Sequence, residues 1–277
     1  MKKLLSLLVA AMMICSCLML TSCGTKETAE TKTTEDSGNK APDVKLGFIC
    51  LHDENSTYDK NFIDAAKAAQ KELGLKDDQV LIKTNIGETD ACYTAAAELA
   101  DAGCNVIFAD SFGHESFIMQ AAGEYPDVQF CHATGTKAHT EKIANYHNAF
   151  ASIYEGRYLA GVAAGLKLNE MIAAGKFDAK DAKMGYVGAF TYAEVISGYT
   201  SFYLGAKSVC PTVTMDVQFT GSWYDEALEK EAATKLINNG CKLISQHADS
   251  MGAPTACETA GVPNVSYNGS TLSACPN

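Results

Sequence analysis

The sequence predicts an α/β protein of two lobes, each built on a parallel sheet. Three observations carry that reading. From Val44 onward, short apolar runs alternate strictly with amphipathic helical stretches, the pattern of βαβ units whose helices cover both faces of a sheet. The alternation continues on both sides of one long helix at 154–175, giving more elements than one small sheet holds. The segment "AELADAGCNVIFADSFG" (97–113) is echoed by "TKLINNGCKLISQHADSMG" (234–252). Both run from a helix through Gly-Cys into an apolar strand and on to Asp-Ser-x-Gly, one copy in each half.

The elements follow in order. "VKLGFICL" (44–51) is a strand. The helix at 59–74 carries Phe62, Ala66, Ala69 and Leu73 on one stripe and stops at Gly74, with Phe62 read as core. A strand at 79–85 leads to a helix at 90–103, capped by Asp90 and ended by Gly103. "CNVIFAD" (104–110) is a strand and 114–123 a short helix; strands are expected at 128–133 and 142–147. The long helix at 154–175 holds Gly161 and Gly165, a spacing read as close packing of helix on sheet. Then come strand 183–188, helix 193–207, strand 213–219, helix 225–239 capped by Asp225, strand 242–247, helix 252–261 and strand 264–267.

The first residues are a targeting segment. Lys2 and Lys3 precede an apolar run from Leu4 to Leu20, too short for an ordinary membrane span. Leu20-Thr21-Ser22-Cys23 resembles the bacterial lipobox, which makes Cys23 a lipid attachment site and 1–23 the leader. Residues 24–43 lack apolar periodicity and are rich in Thr, Glu and Lys, the composition of a flexible tether. The lobes are expected at 44–148 and 149–277.

The net charge of −11 argues against nucleic acid as a partner. Of eleven cysteines, eight remain beyond Cys15, Cys17 and Cys23. Cys50, Cys104, Cys131 and Cys241 sit in apolar strand-like runs, so buried free thiols are favoured over bridges.

Enzyme motifs are missing. The chain has no GxSxG, no GxxxxGK[ST], no HExxH and no GxGxxG. Six scattered histidines form no i, i+4 pair, and neither metal nor cofactor is expected. Ser245, His247 and Asp249 lie at every second position. Along a strand, roughly 6.5–7 Å separates such neighbours, too far for a hydrogen-bonded triad, although all three point one way.

Parallel sheets bind ligands at the carboxyl ends of their strands. The loops expected there are rich in aromatics and carboxylates, suited to stacking a flat ring and bonding its edge. Candidate ligand contacts are Tyr58, Ser111, Phe112, Gly113, Trp223, His247, Asp249 and Asn268, with at least one of Phe190 and Tyr192. Glu194 is open to two readings, an acceptor for a ring amine or a first-turn helix acid. Arg157 is the lone arginine, so phosphorylated ligands are not expected.

The lipobox, the Thr-rich tether, "YEGRYLAGVAAG", "GYVGAFTYAEVISGYTSFYLGAKSV", "TGSWYDEALEKEAATKLINNG" and "ISQHADSMGAP" together resemble the basic-membrane-protein family. These are lipoprotein substrate-binding proteins of ABC importers, related to purine-nucleoside receptor lipoproteins. The resemblance runs over 45–277, and the "ATG" of 133–135 with "HADS" is most similar to a branch that binds purine bases such as adenine. It implies the type I periplasmic-binding-protein fold, two Rossmann-like lobes on a hinge, with a purine held between aromatic rings. The nucleoside-receptor motif DxxF falls on Asp59 and Phe62, but its following Asn is Ile63 here. The base-binding tryptophan falls near Ser56, where Tyr58 is the nearest aromatic. It also implies a further segment beyond Asn277 that completes the first lobe, so the chain reads as a fragment.

The expected function is capture of a purine base or nucleoside, without catalysis, by a monomer lipid-anchored on the outer face of the cell membrane. Its partner is an ABC permease. The rivals are a binding protein for another small polar solute, a surface sensor, and a nucleoside hydrolase using Asp249 and His247.

Overall fold

A computed structural model describes residues 43–276. The leader, Cys23 and all of the expected tether except Asp43 lie outside the described residues.

Two parallel sheets organise the chain. The first has β1 (Leu46–Ile49), β2 (Val80–Lys83), β3 (Val106–Ala109), β4 (Gln129–His132) and β5 (Tyr146–Asn148) in the order β2-β1-β3-β4-β5. The second has β6 (Lys183–Gly188), β7 (Thr214–Phe219), β8 (Leu243–His247) and β9 (Asn264–Val265) in the order β7-β6-β8-β9. Each sheet with its helices forms a lobe. The first strand of each lobe takes a central place with later strands on both sides, so the carboxyl ends gather along one edge. The registers are equivalent: Ile49 lies beside Ala109, and Gly188 beside His247.

The helices are α1 (Asp59–Leu73), α2 (Asp90–Asp101), α3 (Glu115–Glu124), the single turn α4 (Ala138–Glu141), α5 (Ile153–Ala173), α6 (Ala193–Val209), α7 (Glu226–Asn238) and α8 (Gly252–Ala260). Asp225 caps α7, its side chain accepting from Leu228 N–H at 2.9 Å. Gly74 ends α1 in the left-handed region at φ 66°. The cap of α2 is Thr89 rather than Asp90; the Thr89 hydroxyl accepts from Ala91 N–H, and Asp90 is the first helical residue.

Burial follows the sheets. Ile49, Leu99, Ile107, Ile118 and Phe130 form the first core. Leu168, Met184, Tyr186, Phe202 and Leu243 cover one face of the second sheet, and Val187, Leu236 and Ile244 the other. All eight cysteines from Cys50 to Cys275 are free thiols.

Three local expectations need correction. On α1 the buried positions are Asp59, Ile63 and Ala66, while Leu73 is 46 % exposed. Phe62 sits at the edge of that face, packed on Tyr58 and Phe108. The strand expected at 142–147 is reduced to β5, preceded by α4 and a left-handed Lys142. The Asn145 amide donates to the carbonyls of Ala122, Tyr125 and Val128, which fixes the chain just before β5. The small-residue stripe packs helix on helix, not helix on sheet. A Cβ on Gly161 would collide with the Phe202 carbonyl of α6, and one on Gly165 would lie 2.6 Å from the Ala206 carbonyl.

Candidate functional site

The two strand-end edges face each other across a cavity. Leu51, Tyr58, Asp59, Ser111, Phe112 and Thr134 line it from the first lobe. Glu194, Trp223, His247, Asp249 and Tyr267 line it from the second.

The first-lobe wall is held by side chains bonding to backbone. Tyr58 Oη donates to the Asp110 carbonyl at 2.7 Å. Ser111 Oγ and Gly113 N–H both donate to Glu88 Oε1, at 2.6 and 2.7 Å. His132 Nε2 donates to the Ser111 carbonyl at 2.6 Å. Behind this wall, Cys50, Asp59 and Asp110 bring ligand-type atoms within 4.8 Å of one another. Burial, and then the charge of Asp59, push the Asp110 carboxyl well above the usual range. Burial also opposes ionisation of Asp59, but hydrogen bonds from His52 and Ser56 outweigh it and lower its pKa. The pair is one acid beside one carboxylate, an arrangement that a shared proton satisfies.

The second-lobe wall is aromatic and acidic. Trp223 is T-shaped against Phe190 at 5.0 Å. Tyr192 stacks on Phe112 of the first lobe at 4.8 Å, so rings from both lobes meet at the cavity rim. His247 Nε2 hydrogen-bonds Tyr267 Oη at 3.0 Å and lies 3.7 Å from Glu194 Oε1. Burial, followed by the charges of Asp59, Glu229, Asp110 and Glu194, raises the Asp249 carboxyl well above the usual range. Burial raises Glu194 to about 7 against the opposing pull of Arg157. The Trp223 Nε1–H and Thr134 Oγ1 are buried without a partner among the described residues. A ring with N–H groups and acceptors on its edge would satisfy such groups; a wholly apolar ligand would leave them bare.

The lobes also touch directly. Thr57 N–H and Oγ1 both reach the Asp249 carbonyl, at 2.9 and 3.2 Å. Asn61 Nδ2 donates to the Asn268 carbonyl at 2.9 Å. His52 and Tyr224 rings lie 5.4 Å apart.

Of the residues singled out from sequence, Tyr58, Ser111, Phe112, Glu194, Trp223, His247 and Asp249 line the cavity. Gly113, Phe190, Tyr192 and Asn268 do not. Gly113 sits tight against Glu88, and a Cβ there would clash with it. Phe190 packs behind Trp223, Tyr192 is 40 % exposed at the rim, and Asn268 adopts φ 58° with its carbonyl turned to Asn61. Leu51, Thr134 and Tyr267 were not singled out as contacts. Each lies two residues past a strand end, and Thr134 also falls in the "ATG" of 133–135. Asp59 carried only the motif match.

Two parallel α/β lobes enclosing a polar, aromatic cavity at their strand ends define a two-lobed solute-binding class. The solute-binding protein of an ABC transporter system from Aeropyrum pernix has this fold, with a TM-score of 0.70 at 18 % identity over 80 % of this chain and 61 % of that one. The chain belongs to the PnrA-like ABC transporter substrate-binding protein family, whose model matches residues 48–267. A purine-binding protein of Brucella abortus is 34 % identical over 79 % of this chain and 58 % of its own length. A Haloferax volcanii relative with a provisional ABC transporter glucose-binding name is 36 % identical over 62 % of this chain and 40 % of its own. The ABC transporter nucleoside-binding protein BmpA of Lactococcus lactis is 25 % identical over 94 % of this chain and 69 % of its own. The chain thus spans about half the length of the first two curated relatives it matches. These relatives are named as binding proteins. Among the described residues, no helix is long and apolar enough to cross a membrane.

Proposed function

We propose that this chain captures a purine base or nucleoside between its lobes and delivers it to an ABC permease. It is held at the outer face of the cell membrane by lipid on Cys23, acts as a monomer, and makes or breaks no bond. The observation that carries this reading is the cavity itself. Aromatic rings from both lobes surround the buried Asp249 and the half-buried Glu194, whose carboxyls accept no hydrogen bond among the described residues. A flat heterocycle with N–H donors matches both features.

Closure follows from the same residues. Asp249 offers its side chain to the cavity and its carbonyl to Thr57 of the other lobe. A ligand bridging the walls favours the closed form by its differential contacts, and the closed form is the state a permease would recognise.

Isothermal titration calorimetry against purine bases, nucleosides, sugars and amino acids tests this. Binding is expected with purine bases or nucleosides and not with sugars. Heat with glucose and none with any purine would replace this reading by the sugar reading, for which the Haloferax relative is the specific support. Turnover of inosine that is lost in His247→Ala would favour the hydrolase.

A further inference from the structure

Behind the cavity, four buried polar atoms lack a partner among the described residues: His247 Nδ1, Tyr186 Oη, and Arg157 Nε and Nη2. They converge. A Cβ built on Gly198 of α6 would stand 3.2 Å from His247 Nδ1, 3.6 Å from Tyr186 Oη and 3.9 Å from Arg157 Cγ. These residues come from β8, β6 and α5, and all three are buried. The Arg157 guanidinium lies over the Tyr267 ring, 4.1 Å from its centroid, and forms no ion pair among the described residues. Polar atoms this deep are satisfied by one another or by a bound water with two to four partners.

The two faces of the His247 ring differ. Nε2 meets the cavity residues Tyr267 and Glu194, whereas Nδ1 turns back toward α6. Burial, and then the charge of Arg157, push the His247 pKa well below its ordinary value, so the ring carries one N–H and one lone pair. Which nitrogen holds the proton is set by the partner on the far side.

We infer that a water buried between Arg157, Tyr186 and His247 fixes the proton of His247 on Nε2, so that Tyr267 presents its hydroxyl hydrogen to the ligand. Arg157 is donor-only, so a water beside it must accept from the guanidinium. That turns the water's hydrogens outward, and His247 Nδ1 accepts one. Nε2–H then donates to Tyr267 Oη. With its oxygen engaged and its pKa raised by burial, Tyr267 keeps its proton and directs it forward. The cavity therefore shows a donor, Tyr267, beside the acceptors Asp249 and Glu194. Arg157 is a positioning residue for this pattern, and a ligand edge with a ring acceptor next to an N–H is its complement. The last step rests on the purine reading; the tautomer does not.

The test uses the full chain labelled with ¹⁵N-histidine, its His247 ring signals identified with a His247→Asn variant. Long-range ¹H–¹⁵N correlation is expected to show protonated Nε2 and bare Nδ1. Arg157→Met, which keeps an apolar stem and removes the guanidinium, is expected to give mixed or Nδ1–H signals. An Nδ1–H tautomer in the wild-type protein overturns the inference even if the variant does not fold. So does an unchanged tautomer in folded Arg157→Met. For the ligand step, adenine is compared with deaza analogues that replace one ring nitrogen at a time by C–H. One analogue is expected to bind about tenfold more weakly, and Tyr267→Phe is expected to abolish that difference. Equal binding of every analogue overturns the ligand step. No binding of adenine at all, with the expected tautomer in place, refutes the purine reading and leaves the Arg157 assignment supported.

Discussion

Glu194→Gln isolates the cost of placing a carboxyl at the cavity wall. Glu194 is in the first turn of α6, its side chain only 10 % exposed, and burial raises its pKa from 4.5 to about 7. In the unfolded chain the group ionises near its ordinary value. Between those two values the unfolded state loses the proton while the folded state keeps it. Stability therefore falls as pH rises through that window, by about 1.4 kcal/mol per unit and about 3 kcal/mol in all. Glutamine keeps the shape and cannot titrate. The measurement is urea unfolding of both ligand-free proteins from about pH 4.5 to about pH 7.5. The variant is expected to gain about 3 kcal/mol relative to wild type over that range. Asp110 and Glu229 titrate in both proteins, while the Glu194 charge also acts on Asp249, so the difference reports Glu194 together with its coupling to Asp249. A difference constant to within about 0.5 kcal/mol would refute burial as the dominant influence. A difference of opposite sign would mean that Arg157 outweighs burial and holds Glu194 ionised.

Further outcomes follow from packing, closure and thiol burial. Gly161→Ala drives a methyl into the Phe202 carbonyl, and a loss of about 3 kcal/mol in denaturant unfolding is expected; an unchanged midpoint would contradict the α5–α6 contact. Asn61→Ala removes the amide that reaches Asn268, so ligand release should quicken about fivefold with unfolding stability nearly unchanged. Equal release rates would deny that contact a part in holding the closed form. Burial pushes the Cys92 and Cys257 thiols up to about 12 and Cys241 to about 11. A thiol-specific disulfide reagent at neutral pH should leave these three unmodified until the protein unfolds.

Much of the site was legible because parallel sheets impose a rule. Side chains just past a strand's carboxyl end lie at the sheet edge, whatever else the chain does. Hence Ser111 and Phe112 after β3, and His247 and Asp249 at the end of β8 and just beyond it, reach the cavity as the alternating pattern suggested. Side-chain direction was not legible in the same way. Phe190 and Tyr192 follow β6 by two and four residues and stay off the cavity, because Trp223 and Phe112 occupy the places against which they pack. Tyr267 was overlooked because β9 stops at Val265, and only its approach to His247 and Arg157 gives it a role. The α1 stripe misled by one position, since burial there answers to the sheet beneath and to Asp59 turned inward.

By itself, the sequence determined the alternation of strand and helix, the parallel sheets and the strand-end loops. Those follow from local periodicity and from turn and cap residues. The tertiary structure alone decided which polar groups lose water. Asp59, Asp110, Glu194, His247 and Asp249 are ordinary surface types by composition, spread over 191 positions from first to last. Burial shifts the protons of Asp110, Glu194, His247 and Asp249, and charges distant in sequence modify each shift, whereas at Asp59 hydrogen bonds from His52 and Ser56 outweigh burial. "HADS" names the residues at the end of β8, while the packing of α5, β6 and β9 around them decides what each presents to a ligand.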